Sequence, residues 1–344
     1  MIPSLNGLAG TVTRMGDVTP ELADQGCLNQ RHQQAGQCEL CLHACPVDAI
    51  RLTPAPRIDP GVCPGCGACA AVCPVSALQG HRSILSAYRE ARNSGIESGT
   101  ATLVCREAGA GRFAATRIPC MSALPPEFYI DLAFSGVDRV LVYTADCADC
   151  PLGDSQDEAE SAIEVATQFL TSFGKTLTVT RQNGTPPLAE THQSAVSRRG
   201  FLTSVFKTRV AEVESSDNLT RLTDAGHGWR HALFLDGLSQ AEIPEDVDLA
   251  THVGMWGAVE ISDACVGCEM CAQFCPTGAL VGTSEAPDEV TLWFNVARCT
   301  ACGLCERVCF KKAVSIADTV SLTTIATGKI VPIWQGRIPG NALR

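Results

Sequence analysis

Twenty of the 344 residues are cysteines, and their spacing is the part of this sequence that can do chemistry. Cys63-x2-Cys66-x2-Cys69-x3-Cys73 is followed by Pro74, and Cys265-x2-Cys268-x2-Cys271-x3-Cys275 by Pro276. A loop with this spacing points three thiolates at one iron–sulfur cubane, and the fourth cysteine leaves on a helix to ligate the other cluster of a pair. Gly65 and Gly67 suit a loop wrapped close to a cluster, whose backbone N–H groups donate to sulfur. A zinc ribbon would instead separate two CxxC pairs by a spacer. Cys299-x2-Cys302-x2-Cys305-x3-Cys309 keeps all four sulfurs but carries Phe310 in place of proline. Cys38-x2-Cys41-x3-Cys45-Pro46 lacks its leading cysteine, because position 35 is Ala35. Two outcomes are open there. The site holds a three-iron cluster or none, or Cys27 swings in through the loop Leu28 to Gln37, which has ample reach. Cys105, Cys120, Cys147 and Cys150 remain, enough for one further set of four.

The elements that must hold these thiols fall into three blocks. The cysteine runs form an internal repeat that brackets a different segment, 100–185. That segment reads as alternating strands and helices. Strands are expected at Thr100 to Val104, Phe113 to Ile118, Val137 to Thr144 and Lys175 to Thr180. A helix starts at Pro125-Pro126 and stops before Gly136; a second, amphipathic one spans 155–173 with an acidic first turn. The alternation predicts a small parallel sheet with its cysteines at strand ends, where open α/β sheets place their sites. Further along, Asn183 to Pro187 is a linker signal, 196–213 a basic helix, and Leu233 to Leu235 and the stretch near Val253 are expected as strands.

The rest of the composition narrows the class. Net charge is −11 and no long basic run occurs, which argues against nucleic acid and for basic patches on protein partners. Disulfide scaffolds are usually small and secreted. This chain is long, opens without a basic or strongly apolar leader, and has no apolar run of 18 residues. The expected compartment is the reducing cytoplasm. Ser197 to Leu202 has the form of a twin-arginine export signal, but it sits mid-chain and is read as part of the basic helix. Ala108 to Gly111 lacks the third glycine of a dinucleotide loop and is read as a turn. His43 and His81 are not needed as ligands, and Arg298, Lys311 and Lys312 are read as solvated charge near the last run.

Residues 25–82 and 257–318 resemble bacterial two-cluster ferredoxins. Val47-Asp48-Ala49-Ile50 and Thr277-Gly278-Ala279-Leu280 follow their Cys-Pro dipeptides as that family's post-cluster segment does. The resemblance implies crossed [4Fe-4S] ligand sets. They are Cys45, Cys63, Cys66 and Cys69; Cys27, Cys38, Cys41 and Cys73; Cys265, Cys268, Cys271 and Cys309; and Cys275, Cys299, Cys302 and Cys305. The central segment resembles the delta subunit of methyl-viologen-reducing hydrogenase. The residues that carry it are Val104-Cys105, Ile118-Pro119-Cys120-Met121, Pro126-Glu127-Phe128, and Val140 to Tyr143 leading to Cys147 and Cys150. That family implies a [2Fe-2S] cluster on Cys105, Cys120, Cys147 and Cys150, and passage of hydrogenase electrons to a flavoprotein disulfide reductase. The sequence departs from it at Ala108, where a second cysteine of a CxxC is expected, and in the spacing around Cys147. A zinc site or buried thiols are the structural alternatives for these four residues.

The expectation is thus a mixed α+β and α/β chain in which two ferredoxin-like modules flank a small parallel-sheet domain. The boundaries are an extension over 1–24, a module over 25–95, the α/β domain over 98–185, a linker with a helix over 186–255, a module over 256–320 and a tail over 321–344. The expected role is that of an electron-transfer subunit carrying four [4Fe-4S] clusters and one [2Fe-2S] cluster, with no catalytic residue. Its expected partners are a hydrogenase, a formate dehydrogenase or a flavoprotein reductase, with no nucleic acid and no membrane span. A stand-alone oxidoreductase with an accessible central cluster, and a redox sensing or assembly protein, are the rival readings.

Overall fold

A computed structural model describes residues 19–23, 26–79, 82–109, 113–188, 218–245, 247–286 and 289–338. The basic helix expected over 196–213, with the Ser197 to Leu202 motif, lies outside them, as does His81.

In the N-terminal part a two-residue strand, Glu21–Leu22, pairs antiparallel with Leu78–Gln79 and precedes three single-turn helices, α1 (Leu28–Arg31), α2 (Gln33–Gly36) and α3 (Leu40–His43). His32 breaks α1 from α2 with extended backbone, and its Nδ1 accepts from the Ala35 N–H at 3.1 Å, capping α2. A hairpin of β1 (Ile50–Leu52) and β2 (Pro56–Ile58) follows the first Cys-Pro. Next comes α4 (Ala68–Ala71), which carries Cys69. Gly67 precedes it at φ +89, and a Cβ there would lie 2.8 Å from the Ala123 Cβ, so turn and close approach both require glycine.

Helix α5 (Arg82–Ser98) leads into the central sheet. Its strands are β3 (Thr100–Cys105), β4 (Thr116–Ile118), β5 (Arg139–Thr144) and β6 (Thr178–Asn183), all parallel, in the order β4-β3-β5-β6. The small parallel sheet implied by the alternation is therefore present. Two connecting helices are α6 (Pro126–Phe134), which begins on its proline and stops before Gly136 at φ +92, and α7 (Gln156–Thr171). The last strand starts later than the 175–180 segment expected. Gly174 at φ +63 and the Lys175 N–H, which donates to the Leu170 carbonyl at 3.0 Å, are spent closing α7. Phe113 joins only an isolated bridge to Leu188, outside β4.

The expected strand at Leu233 to Leu235 is a helix. It belongs to α9 (Trp229–Leu238), preceded by α8 (Asn218–Asp224). Nearly every residue of α9 is buried, so its apolar run carries no face to read as helical. Val253 lies in a turn bridged by His252 and Trp256, not in a strand.

The C-terminal part contains β7 (Val259–Ile261), α10 (Met270–Gln273), β8 (Leu280–Ala286), β9 (Glu289–Asn295), α11 (Leu304–Val308), β10 (Val314–Ile316) and β11 (Ile330–Arg337). Strand β7 pairs with β10, and β8-β9-β11 form an antiparallel sheet to which the segment beyond residue 320 contributes its edge. One apolar core runs through all three parts. Its centre is aromatic: Phe169 of α7, Phe234 of α9 and Trp256 meet with centroids 4.8–5.5 Å apart, the two Phe rings edge-on and both tilted to Trp256.

Candidate metal centres

All twenty cysteines lie among the described residues, and all are free thiols. In three runs the short helix α4, α10 or α11 carries the third cysteine and ends before the fourth. This corrects the expectation that the fourth cysteine leaves on a helix. Pro74 and Pro276 bar the helical conformation from the residue before them.

The turn after the fourth cysteine is built alike each time. Asp48, Ser76, Gly278 and Lys312, each three residues on, all have φ between 50° and 64°. The following N–H donates to the sulfur: Ala49 to Cys45 at 3.3 Å, Ala77 to Cys73 and Ala313 to Cys309 at 3.2 Å. Such donors stabilise negative charge on sulfur.

Cys27, Cys38, Cys41 and Cys73 line one cavity of about 20 Å³. Cys27 precedes α1, and Asn29 clasps Cys38. The Asn29 amide donates to the Cys38 carbonyl at 2.9 Å, and the Cys38 N–H donates to the Asn29 Oδ1 at 2.8 Å. Burial, then the neighbouring Cys73, Cys38 and Cys27, push the Cys41 thiol up to about 12. Cys45, Cys63, Cys66 and Cys69 form a second set. Burial raises the thiols of Cys63, Cys66 and Cys69, and all three feel Cys45. In the C-terminal part, burial followed by Cys265, Cys268 and Cys309 pushes Cys271 up to about 12. Cys275, Cys299, Cys302 and Cys305 line a cavity of about 20 Å³, where burial raises Cys299 to about 12 and Cys302 to about 11.

The central cysteines stand at the carboxyl ends of three adjacent parallel strands. Cys105 ends β3, Cys120 follows β4, and Cys147 and Cys150 follow β5. They line a cavity of about 40 Å³ with Met121 and Arg181. Cys105 keeps its proton through a hydrogen bond to Cys120, and the same bond pulls the Cys120 thiol down. Ser155 Oγ lies 3.9 Å from the Cys120 sulfur, and the Leu152 N–H donates to Cys150 at 3.4 Å. Among the described residues no group of His, Cys, Asp or Glu is set to hold a single metal ion. Three groups of four thiols line cavities instead, which suits soft sulfur ligation of iron–sulfur clusters.

Comparison with known proteins gives the flanking parts their family. The 4Fe-4S dicluster domain matches at residues 36–77 and again at 263–313. These two segments are ferredoxin-type modules. A curated relative, "Ferredoxin 7Fe" of Hydrogenibacillus schlegelii, is 56% identical over 39 residues, 11% of this chain and 50% of that protein. The chain thus spans about half the length of the curated relative it matches. No solved structure matches.

Several residues around the sets had no signal in the cysteine pattern. Asn29 and Ser155 are two. A third is Arg230 of α9, buried with Glu127 of α6 at 2.8 Å, whose Nη1 donates to the Cys73 carbonyl at 3.0 Å. Elsewhere, His43 is exposed, with its Nε2 3.4 Å from a Glu39 carboxylate oxygen. Arg298 ties the Thr277 and Ala225 carbonyls together rather than standing free in solvent. Among the described residues, no helix is long and apolar enough to cross a membrane.

Proposed function

We propose that this chain is a cytoplasmic electron-transfer subunit of a larger oxidoreductase complex. In this reading it relays electrons between a hydrogenase or formate dehydrogenase and a flavoprotein or disulfide-reductase-like partner. The observation that supports it is that three groups of four thiols line cavities, two of them within the segments that match a 4Fe-4S dicluster domain or beside them. Two ferredoxin-type modules, assigned to 25–95 and 256–320, each supply ligands for two [4Fe-4S] clusters. Cys27, Cys38, Cys41 and Cys73 serve one, and Cys45, Cys63, Cys66 and Cys69 the next. Cys265, Cys268, Cys271 and Cys309 serve a third, and Cys275, Cys299, Cys302 and Cys305 a fourth. The hydrogenase-delta-like domain over 98–185 supplies Cys105, Cys120, Cys147 and Cys150 to a [2Fe-2S] cluster. When bound, such clusters act as one-electron carriers whose potentials span roughly −700 to +450 mV. The chain's own part is to bury the sulfurs, to donate N–H groups to them from the turns after Cys45, Cys73 and Cys309, and to keep neighbouring sets close.

The test is iron and acid-labile sulfide per chain on anaerobically purified protein, with EPR of the reduced form. Four cubanes and one two-iron site require about 18 iron atoms. Ala35, in the place of a leading cysteine, makes the N-terminal module the point to test, and a seven-iron pair there, as in the relative's name, would give about 17. About 16, with zinc present, would remove the central cluster. Mixing the reduced protein with a hydrogenase or flavoprotein then tests the partner class. A second reading, a stand-alone oxidoreductase, is favoured by the central cavity, which at about 40 Å³ exceeds the two cavities in the modules. It requires turnover of a small molecule by the isolated protein with an artificial donor.

A further inference from the structure

The two ferredoxin-type modules meet face to face. Leu28 and Ala35 of the N-terminal module share a small buried core with Leu304 and Val308 of the C-terminal one. Cys38 and Cys302, one from each module, pack on this core. The rings of His32 and Phe274 meet edge-on with centroids 4.9 Å apart. Arg307 of α11 reaches across the seam. Its Nε donates to the Ala35 carbonyl at 2.7 Å, and its Nη2 to the Gly36 carbonyl at 3.4 Å and to the Cys302 carbonyl at 3.1 Å. One guanidinium therefore holds the backbone beside Cys38 and the backbone of Cys302 together.

The remaining neighbours put the five sets in order. Cys66 feels Cys120, and with Ala44, Ala68 and Leu152 it forms a core on which Cys120 and Cys150 pack. Helices α3 and α4, which carry Cys41 and Cys69, are in contact, which brings the two sets of the N-terminal module together. Helices α10 and α11, which carry Cys271 and Cys305, are in contact, which brings the two sets of the C-terminal module together. In sequence the central domain stands between the modules. In space its cysteines stand beside one end of the N-terminal module, and the C-terminal module adjoins the other.

We infer that electrons pass directly between the two modules across the junction closed by Arg307, so that the central set ends the route instead of bridging it. The inference rests on the cluster reading above. Each passage oxidises one centre by one electron and reduces its neighbour by one. No bond forms and no proton moves, and the electron enters from a reduced redox-protein partner.

The experiment is an EPR-monitored redox titration of the full chain, wild type against Arg307→Gln. Signals are assigned to modules by comparison with Cys41→Ser and Cys305→Ser. A charge at a shared junction acts on one centre in each module. The potential of the Cys27, Cys38, Cys41 and Cys73 set should fall together with that of the Cys275, Cys299, Cys302 and Cys305 set. His32→Glu, made on the opposite side of the seam, gives a second reading should Arg307→Gln load poorly. It should lower a potential in the C-terminal module. Amide hydrogen exchange over 33–38 should also rise in Arg307→Gln. Shifts confined to the substituted residue's own module in both variants overturn the direct route. Wild-type protein with fewer than four four-iron potentials overturns the cluster reading itself, and the route with it.

Discussion

The least regular thiol in the chain is Cys27, and its position depends on one asparagine. Ala35 occupies the place of a leading cysteine, so the run from Cys38 supplies one sulfur fewer than its three counterparts. The Asn29 clasp on Cys38 draws the start of α1 against that run, which puts Cys27 on the same cavity as Cys38, Cys41 and Cys73. Cys27→Ser should therefore convert that site to a three-iron form or empty it, lowering iron by about one to four atoms per chain by cluster stoichiometry. Iron analysis and a new three-iron EPR signal in the oxidised protein would report it; unchanged iron and spectra would mean that Cys27 is no ligand. Asn29→Ala leaves the sulfur in place and removes two hydrogen bonds to the Cys38 backbone. It should cost about 1–3 kcal/mol, since both Cys38 groups lose a partner. Anaerobic denaturant titration measures the cost, and loss of iron from one site on dilution should accompany it.

At the scale of elements, the helices that join the modules to the sheet hold a buried charge pair. Arg230 of α9 meets Glu127 of α6, and both are at most 4% exposed. Arg230 also donates to the Cys73 carbonyl, so one side chain fastens α9, α6 and the end of the run from Cys63 to Cys73. Burial raises the Glu127 carboxyl and Arg230 opposes that rise. Glu127→Gln leaves the guanidinium buried without its counter-charge and should cost about 3–5 kcal/mol. Replacing both by Met should cost less than the single change, because no charge is then stranded. Equal losses in the denaturation midpoint for the single and double variants would mean that packing, not charge, dominates there. None of this was legible in the sequence. The strand-helix alternation over 100–183 was, because α7 keeps a solvated face and α6, though buried throughout, starts on Pro126 and stops before Gly136. Helix α9 was not, because nearly all its residues are buried and its pattern loses its period. The cysteine spacing gave the local loops. Arg307 and Arg230 act across 272 and 157 residues of chain, a separation that no local pattern encodes.

Across the whole molecule, the thiols couple folding to pH and to iron. Burial comes first among the causes that push Cys41, Cys271 and Cys299 up to about 12 and Cys66 and Cys302 up to about 11, from an ordinary value near 9. In iron-depleted protein the folded state then holds more protons than the unfolded state between those values. Stability follows the excess of protons on the unfolded state, so here it falls as pH rises. The depleted protein should keep its stability below about pH 9 and lose it progressively toward pH 12, the window set by those thiol values. Clusters reverse the sign, because they bind thiolates and must displace the protons. Loaded protein should resist the alkaline loss and instead release iron as acid competes for sulfur. Anaerobic urea midpoints from pH 7 to 10.5, taken before and after chelation, separate the two profiles. Parallel curves would mean that the sulfurs carry no proton linkage and that the sets of four do not close on a metal centre.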